Sequence, residues 1–129
     1  MTGVQTCALP ILKKVNDGLG HEYGDRLIRS AAQVIENSFG EFGKTYRVGG
    51  DEFCVLMEGN AVKENYIKAV ETFQMLMEEA NQKEEKDFTI QIAHGFSVCE
   101  DFSEAGVEDA IAKADSEMYH NKAVLKGLA

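Results

Sequence analysis

The sequence predicts an α+β domain: an antiparallel sheet in the order β-α-β-β-α-β-α with helices on one face. Three observations lead there. A chain of 129 residues allows one compact core and is short for two. Apolar spacing alternates along it between a period of two and a period of about 3.6. A glycine turn, Gly49-Gly50-Asp51, joins two short β-favouring runs. With 44% hydrophobic and 27% charged residues, the composition is that of an ordinary globular domain.

Each element has its own signal. Residues Met1 to Leu12, MTGVQTCALPIL, differ in character from the rest of the chain and resemble translated adapter sequence at the start of a truncated reading frame. They lack the basic region of a secretory signal. The natural chain is expected to begin further upstream, and residues 1–12 are set apart from a domain at 13–129. A truncated first strand is placed near Ile11 to Val15. Asn16-Asp17-Gly18 reads as a turn, and Tyr23, Leu27, Ile28, Ala31, Val34 and Ile35 recur at helical spacing until Gly40 and Gly43 end the run.

Thr45 to Val48 and Glu52 to Met57 read as the hairpin, the second strand apolar on both faces and so central. A second helix covers Val62 to Ala80 with one apolar stripe, and NQKEEKD makes a solvated loop. Phe88, Ile90 and Ile92 alternate with polar residues as a strand reaching Val98. A last helix runs from Val107 to Leu125 through Ile111, Ala114 and Met118. Met57, Met75, Met77 and Met118 fall on apolar stripes and read as core filler. The whole is the split βαβ, ferredoxin-like order with an appended helix.

Composition also excludes functions. Thirteen Lys and Arg against 22 Asp and Glu leave a net charge of -9, which repels a phosphate backbone, so general nucleic-acid binding is not expected. The longest apolar runs fall far short of the roughly 20 residues that cross a bilayer. Cys7, Cys54 and Cys99 are odd in number and widely spaced, which indicates neither a disulfide framework nor a zinc site and points to a reducing cytoplasm.

Three places can carry chemistry. In Arg47-Val48-Gly49-Gly50-Asp51-Glu52-Phe53, the glycines let a bulky group approach the backbone, and adjacent carboxylates at a hairpin tip suit a divalent cation and, through it, a triphosphate. The same residues are also good turn chemistry with solvated acids. Asn16 and Asp25 flank a helix entrance, where an amide and a carboxylate can read the N1–H and N2–H₂ of guanine. They can equally be a turn former and a first-turn acid. His21, nearby, reads as structural. Lys122 and Lys126, one turn apart, can neutralise terminal phosphates or simply favour the helix dipole.

Taken together, ND-x-x-GH-x-x-GD, RVGGDEF and AD-x-x-MY-x-x-K, in that order from Lys13 to Lys126, resemble the GGDEF domain of diguanylate cyclases. The resemblance implies a βαββαβ palm-like sheet related to nucleotidyl cyclases. It implies condensation of two GTP into cyclic di-GMP with release of pyrophosphate, each GTP held by one domain of an antiparallel homodimer. Asp51, with Glu52 as second carboxylate, would hold Mg²⁺ or Mn²⁺ and help to activate the ribose 3′-hydroxyl. Gly49 and Gly50 would lie against the phosphates, Asn16 and Asp25 would recognise guanine, and Lys13, Lys122 and Lys126 would meet the phosphate charge. An upstream sensory or regulatory domain is a further implied partner.

The departures from the family pattern carry their own expectations. Its Asp-x-Asp falls on Ala8 and Pro10, which removes a metal ligand and, through Pro10, a strand donor. Its Arg-x-x-Asp product site falls on Gly40 and Gly43, so inhibition by product there is not expected. Its Gly-Arg on the last helix falls on Leu125-Lys126, a point charge in place of a bidentate clamp. The chain as written is therefore expected to be an impaired cyclase or a catalytically silent nucleotide-sensing or dimerisation module.

Overall fold

The computed structural model describes residues 1–82 and 89–125. Its eight elements are, in chain order, β1 (Thr2–Ala8), α1 (Leu12–Leu19), α2 (His21–Phe39), β2 (Gly43–Arg47), β3 (Glu52–Glu58), α3 (Val62–Asn81), β4 (Ala93–Cys99) and α4 (Glu104–Leu125). The sheet order is β2-β3-β1-β4, with every pair antiparallel. Each of the connections β1-α2-β2 and β3-α3-β4 joins two strands that have another strand between them. This is the split βαβ arrangement.

Strand residues alternate in direction, so one set of β1 and β3 residues looks toward α2 and α3. Cys7, Phe53, Val55 and Met57 join Leu27, Ala31, Ile35, Phe39, Ala69 and Phe73 in the main core on that face. The Phe39 and Phe73 rings lie 5.8 Å apart, and Tyr66 stacks on Phe96 of β4 at 3.9 Å. The appended α4 takes the opposite face, where Met118 packs on Ala8 and Ala93. Its approach is close because β4 carries Gly95, at which a Cβ would meet the α4 backbone at Ala114 and Met118.

Several expectations are corrected. The first strand is Thr2–Ala8, within the stretch set apart in the sequence, and Ile11 to Val15 contains no strand. Leu12 and Val15 instead bury the inner side of α1, a helical spacing. Asn16-Asp17-Gly18 lies inside that helix, and the break comes at Gly20, whose φ of 98° is one that glycine adopts without Cβ strain. Pro10 lies beyond β1 and costs the ladder nothing.

The last strand begins at Ala93 because its partner β1 ends at Ala8, the residue opposite. Ile90 and Ile92 are buried without entering the ladder. The Asn81 amide serves Ile90 in a strand's stead: its Oδ1 accepts the Ile90 N–H at 2.7 Å and its Nδ2 donates to the Ile90 carbonyl at 3.0 Å. Phe88 and most of the NQKEEKD loop lie outside the described residues. On α4 the buried residues are Ala110, Ala114 and Met118, while Ile111 is exposed. Met75 is exposed as well, its position falling off the buried side of α3. Cys54 is half-buried, and burial together with Asp115 raises its pKa. Cys7 is fully buried, which pushes its thiol to about 12. Burial lowers the pKa of His94, opposed by Glu117.

The central strand is chemically uneven. Gln5 is fully buried; its Nε2 donates to Cys7 Sγ at 3.4 Å, while its Oε1 has no partner, and neither does Thr6 Oγ1. An unsatisfied buried acceptor costs about 1–3 kcal/mol. Gln5→Leu, which keeps the bulk and removes the orphan oxygen, is expected to raise stability by about 1 kcal/mol in urea denaturation. A loss of stability would show that the amide has a partner in solution.

Candidate functional site

The two strand ends that form the site are tied by one backbone bond. Beyond the last rung of β1, the Leu9 N–H donates to the Asp51 carbonyl at 2.9 Å. Ala8 stands in register with Glu52 on one side and Ala93 on the other. Cross-strand partners share a face, so position 8 lies beside Glu52 on the side that α4 covers. Asp51 and Glu52 are half-buried, whereas Ala8 is 2% exposed.

The tip of the β2–β3 hairpin is closed by Val48 N–H to the Glu52 carbonyl at 3.0 Å, with Gly49 N–H to the same oxygen at 3.4 Å. Arg47 then folds over it. Its Nε donates to the Gly49 carbonyl at 3.2 Å and its Nη2 to the Gly50 carbonyl at 2.9 Å. The guanidinium draws both carbonyls to one side and fixes the tip; this use of Arg47 has its sequence signal only in its place two residues before the glycines.

The two glycines are not demanded by that turn. Neither has a φ in the left-handed region, where only Gly20 and Gly59 lie among the described residues. A Cβ at Gly49 would make ordinary contact with Glu52, and one at Gly50 would meet nothing within 4 Å. No left-handed φ calls for glycine at either position, and the room needed for close approach of a ligand is present.

The other predicted residues fall into two groups. Lys122 is half-buried in the last turn of α4, whose end lies over Ala8 and Ala93 through Met118 and Leu125. Lys13 is exposed in the first turn of α1, just after β1. With Asp51, Glu52, Gly49 and Gly50, these occupy one end of the sheet. Asn16 and Asp25 form a separate corner between α1 and α2. There the Asn16 side chain lies so tightly against Gly24, the residue before Asp25, that a Cβ on Gly24 would displace it. The only sequence signal for this role of Gly24 is its place in the same GD pair as Asp25. Lys126 lies outside the described residues. His21 is exposed at the start of α2.

At the positions of the absent product site, a Cβ on Gly43 would meet the Leu56 carbonyl, and one on Gly40 the Glu36 carbonyl. A cleft of about 540 Å³ borders α1 at Lys14, Val15 and Leu19, with Thr89 and Gln91 opposite. It contains none of the predicted site residues.

Both carboxylates come from the hairpin, and among the described residues no three His, Cys, Asp or Glu side chains converge as a ligand group. Asp51 and Glu52 could hold a divalent cation from the hairpin side, while Ala8, in register with Glu52, adds no side-chain oxygen. Among the described residues no helix is long and apolar enough to cross a membrane.

Comparison with known proteins bears on the family and the fold. The family profile described as diguanylate cyclase, GGDEF domain, matches residues 1–126 and so takes in the first strand. Diguanylate cyclase DgcZ of Escherichia coli K12 is 29% identical over 110 residues, 85% of this chain and 36% of that protein. An EAL/GGDEF domain protein from M. capsulatus has a similar structure, with a TM-score of 0.74 and 26% identity over 95% of this chain and 78% of that one. The GGDEF domain of DgcB from Caulobacter crescentus, solved in complex with c-di-GMP, shares the fold at a TM-score of 0.71 and 24% identity, covering 94% of this chain and 71% of that one. The chain spans between 9% and 36% of the length of three curated relatives that it matches.

Two glycines separate fold from site. Gly50→Ala is expected to leave stability unchanged or raise it by up to about 1 kcal/mol, because only the unfolded chain loses freedom. Gly24→Ala is expected to displace the Asn16 side chain while costing less than about 1 kcal/mol, because that side chain can rotate and alanine favours the helix. Urea denaturation of both variants checks the pair, and a loss well above that at Gly24 would show that Asn16 cannot move.

Proposed function

Because the chain belongs to the diguanylate cyclase GGDEF domain family, matched over residues 1–126, we propose that it is a GTP-binding domain of a bacterial signalling protein whose cyclase chemistry is impaired as the sequence stands. Cyclic di-GMP synthesis is the family's function. The observation that carries the binding half of the proposal is the hairpin tip, where Gly49 and Gly50 leave open space that the fold does not require, directly beside Asp51 and Glu52. A triphosphate lying on that tip has Lys13 and Lys122 as cations to meet its charge. Its base reaches the Asn16 and Asp25 corner, where an amide acceptor and a carboxylate suit guanine and leave adenine unmatched.

Impairment follows from the register. Position 8 is the place on β1 that faces Glu52, and alanine offers no side-chain oxygen there, so β1 could contribute at most a neutral backbone carbonyl. Mg²⁺ or Mn²⁺ would arrive with the phosphates and find ligands on the hairpin alone. The residues present therefore do not complete the metal site, and the 3′-hydroxyl of a bound GTP is left unactivated. A cyclase product needs two such domains facing each other as a homodimer, each with its own GTP, in a cytoplasmic setting and under the control of an upstream domain. Without turnover, the same domain serves as a nucleotide-sensing or dimerisation module, the reading that Ala8 favours for this chain.

Titration calorimetry is expected to show tighter binding of GTP than of ATP, with the preference lost in Asp25→Ala, since each unmatched donor costs about 1–3 kcal/mol. An unchanged preference would remove Asp25 from the base site.

Ala8→Asp with Pro10→Asp is expected to introduce Mg²⁺-dependent pyrophosphate release, abolished again by Asp51→Ala. The repaired chain should be less stable than the original in chelator, because a carboxylate at an almost fully buried position stands beside Glu52. It should regain stability when Mg²⁺ and GTP are added. Robust cyclic di-GMP synthesis by the original chain would overturn the assignment of the defect, and strong product inhibition of the repaired chain would overturn the loss of the site at Gly40 and Gly43.

A further inference from the structure

We propose that Asn121 is a positioning residue that fastens the last turn of α4 to the margin of β4 and so keeps Lys122 at the phosphate end of the site. The task given to Lys122 rests on the GTP-binding reading above; the fastening itself does not.

The sheet order leaves β4 with a strand on one side only. Two of its outward amides, those of His94 and Phe96, therefore lack a ladder partner, and a backbone N–H without a partner is costly when it is shielded from water. Both find one on α4. The His94 N–H donates to Asn121 Oδ1 at 3.0 Å, and the Phe96 N–H donates to Glu117 Oε2 at 3.0 Å. The spacing makes this repeatable: two residues along a strand cover about 6.8 Å and four along a helix about 6 Å, so consecutive turns of the helix meet consecutive outward amides. Gly95 lets the helix come near enough for side chains of this length to reach, and Ser97 adds a third tie by donating from its hydroxyl to the Ala110 carbonyl.

Only the Asn121 tie falls in the turn that carries a predicted site residue. Lys122 follows it directly and lies one helical turn beyond Met118, which rests on Ala8 and Ala93. On the helical wheel, Asn121 and Glu117 occupy the flank toward β4, and Lys122 shares the other flank with Asp115, which acts electrostatically on Cys54 of β3. Among the described residues no ion pair holds Lys122; the pair within 4.0 Å on this helix is Lys113 with Asp109. The terminal turn of a helix is the part that opens most readily. With the Asn121 tie broken, the turn frays and the ammonium moves away from Glu52 and the hairpin tip.

The test uses the full chain with Asn121→Ala, Asn121→Asp, Lys122→Ala, the double variant Asn121→Ala with Lys122→Ala, and Glu117→Ala as a comparison tie away from Lys122. GTP affinity by calorimetry is expected to fall about three- to tenfold in Asn121→Ala and to return in Asn121→Asp, which keeps the acceptor. In the Lys122→Ala background, Asn121→Ala should cause no further loss. Glu117→Ala should lower thermal stability and leave GTP affinity within about twofold. Amide exchange at His94 should quicken in Asn121→Ala and recover in Asn121→Asp, with no nucleotide present. Unchanged exchange at His94 would overturn the tie, and multiplying losses in the double variant would overturn its action through Lys122. Failure of the unsubstituted chain to bind GTP would overturn the functional reading and the positioning role together, while the exchange result would still decide the tie.

Discussion

The hydrogen bond from the Leu9 amide to the Asp51 carbonyl ties the hairpin acids to the end of the central strand. It is the last in a series that begins with the pairing of β1 to β3 and β4 along its full length. Because β1 is central, its register decides which residue faces Glu52, where β4 starts and how far α4 can advance over the sheet. A shift of one residue would turn every β1 side chain to the other face and exchange the small Ala8 for Cys7 or Leu9 beneath Met118. The main core on one face and the α4 layer on the other thus share a single alignment, with the hairpin acids fixed at its end.

The glycines show how the chain divides its conformational freedom. Gly20 supplies a corner that other residues adopt only with strain, Gly24 makes way for Asn16, and Gly95 makes way for a helix backbone. Gly49 and Gly50 do none of these things. Arg47 also stands apart from the other cations near the site: both nitrogens of its guanidinium that bond do so to the hairpin carbonyls, so its charge serves to shape the tip. Lys13 is exposed and Lys122 half-buried, in a chain whose net charge is -9.

Much of this is legible in the sequence. Period and turn chemistry locate α2, the hairpin and α3, because those elements bury one face and end on strong signals such as Gly40 and Gly49-Gly50. The glycine-acid motif falls at the hairpin tip, whereas Asn16 lies inside α1 and not in the turn that its neighbours suggest. Two strands are misplaced for one reason. TGVQTCA contains Gln5 and two threonines where a central strand is ordinarily apolar, so it does not announce itself, and the apolar residues of α1 imitate a strand in its place. The corrected β1 also shortens β4, since Ile90 and Ile92 have no partner strand to meet. Asn121, Gly24 and Arg47 leave no pattern of spacing, because each acts through a contact between residues distant in sequence or through a backbone carbonyl.

The margins of the sheet bear on how such domains meet. An open strand margin is a template for further strands and hence for aggregation. On β4 the helix side chains of Asn121 and Glu117 occupy two of the donors that a foreign strand would seek. On β2 the margin is only five residues long and carries Lys44 and Arg47, whose charges repel a second copy laid alongside. Growth by strand addition is thus discouraged at both sides. The surfaces not guarded in this way are the helix faces and the hairpin tip, where side chains rather than backbone groups are presented.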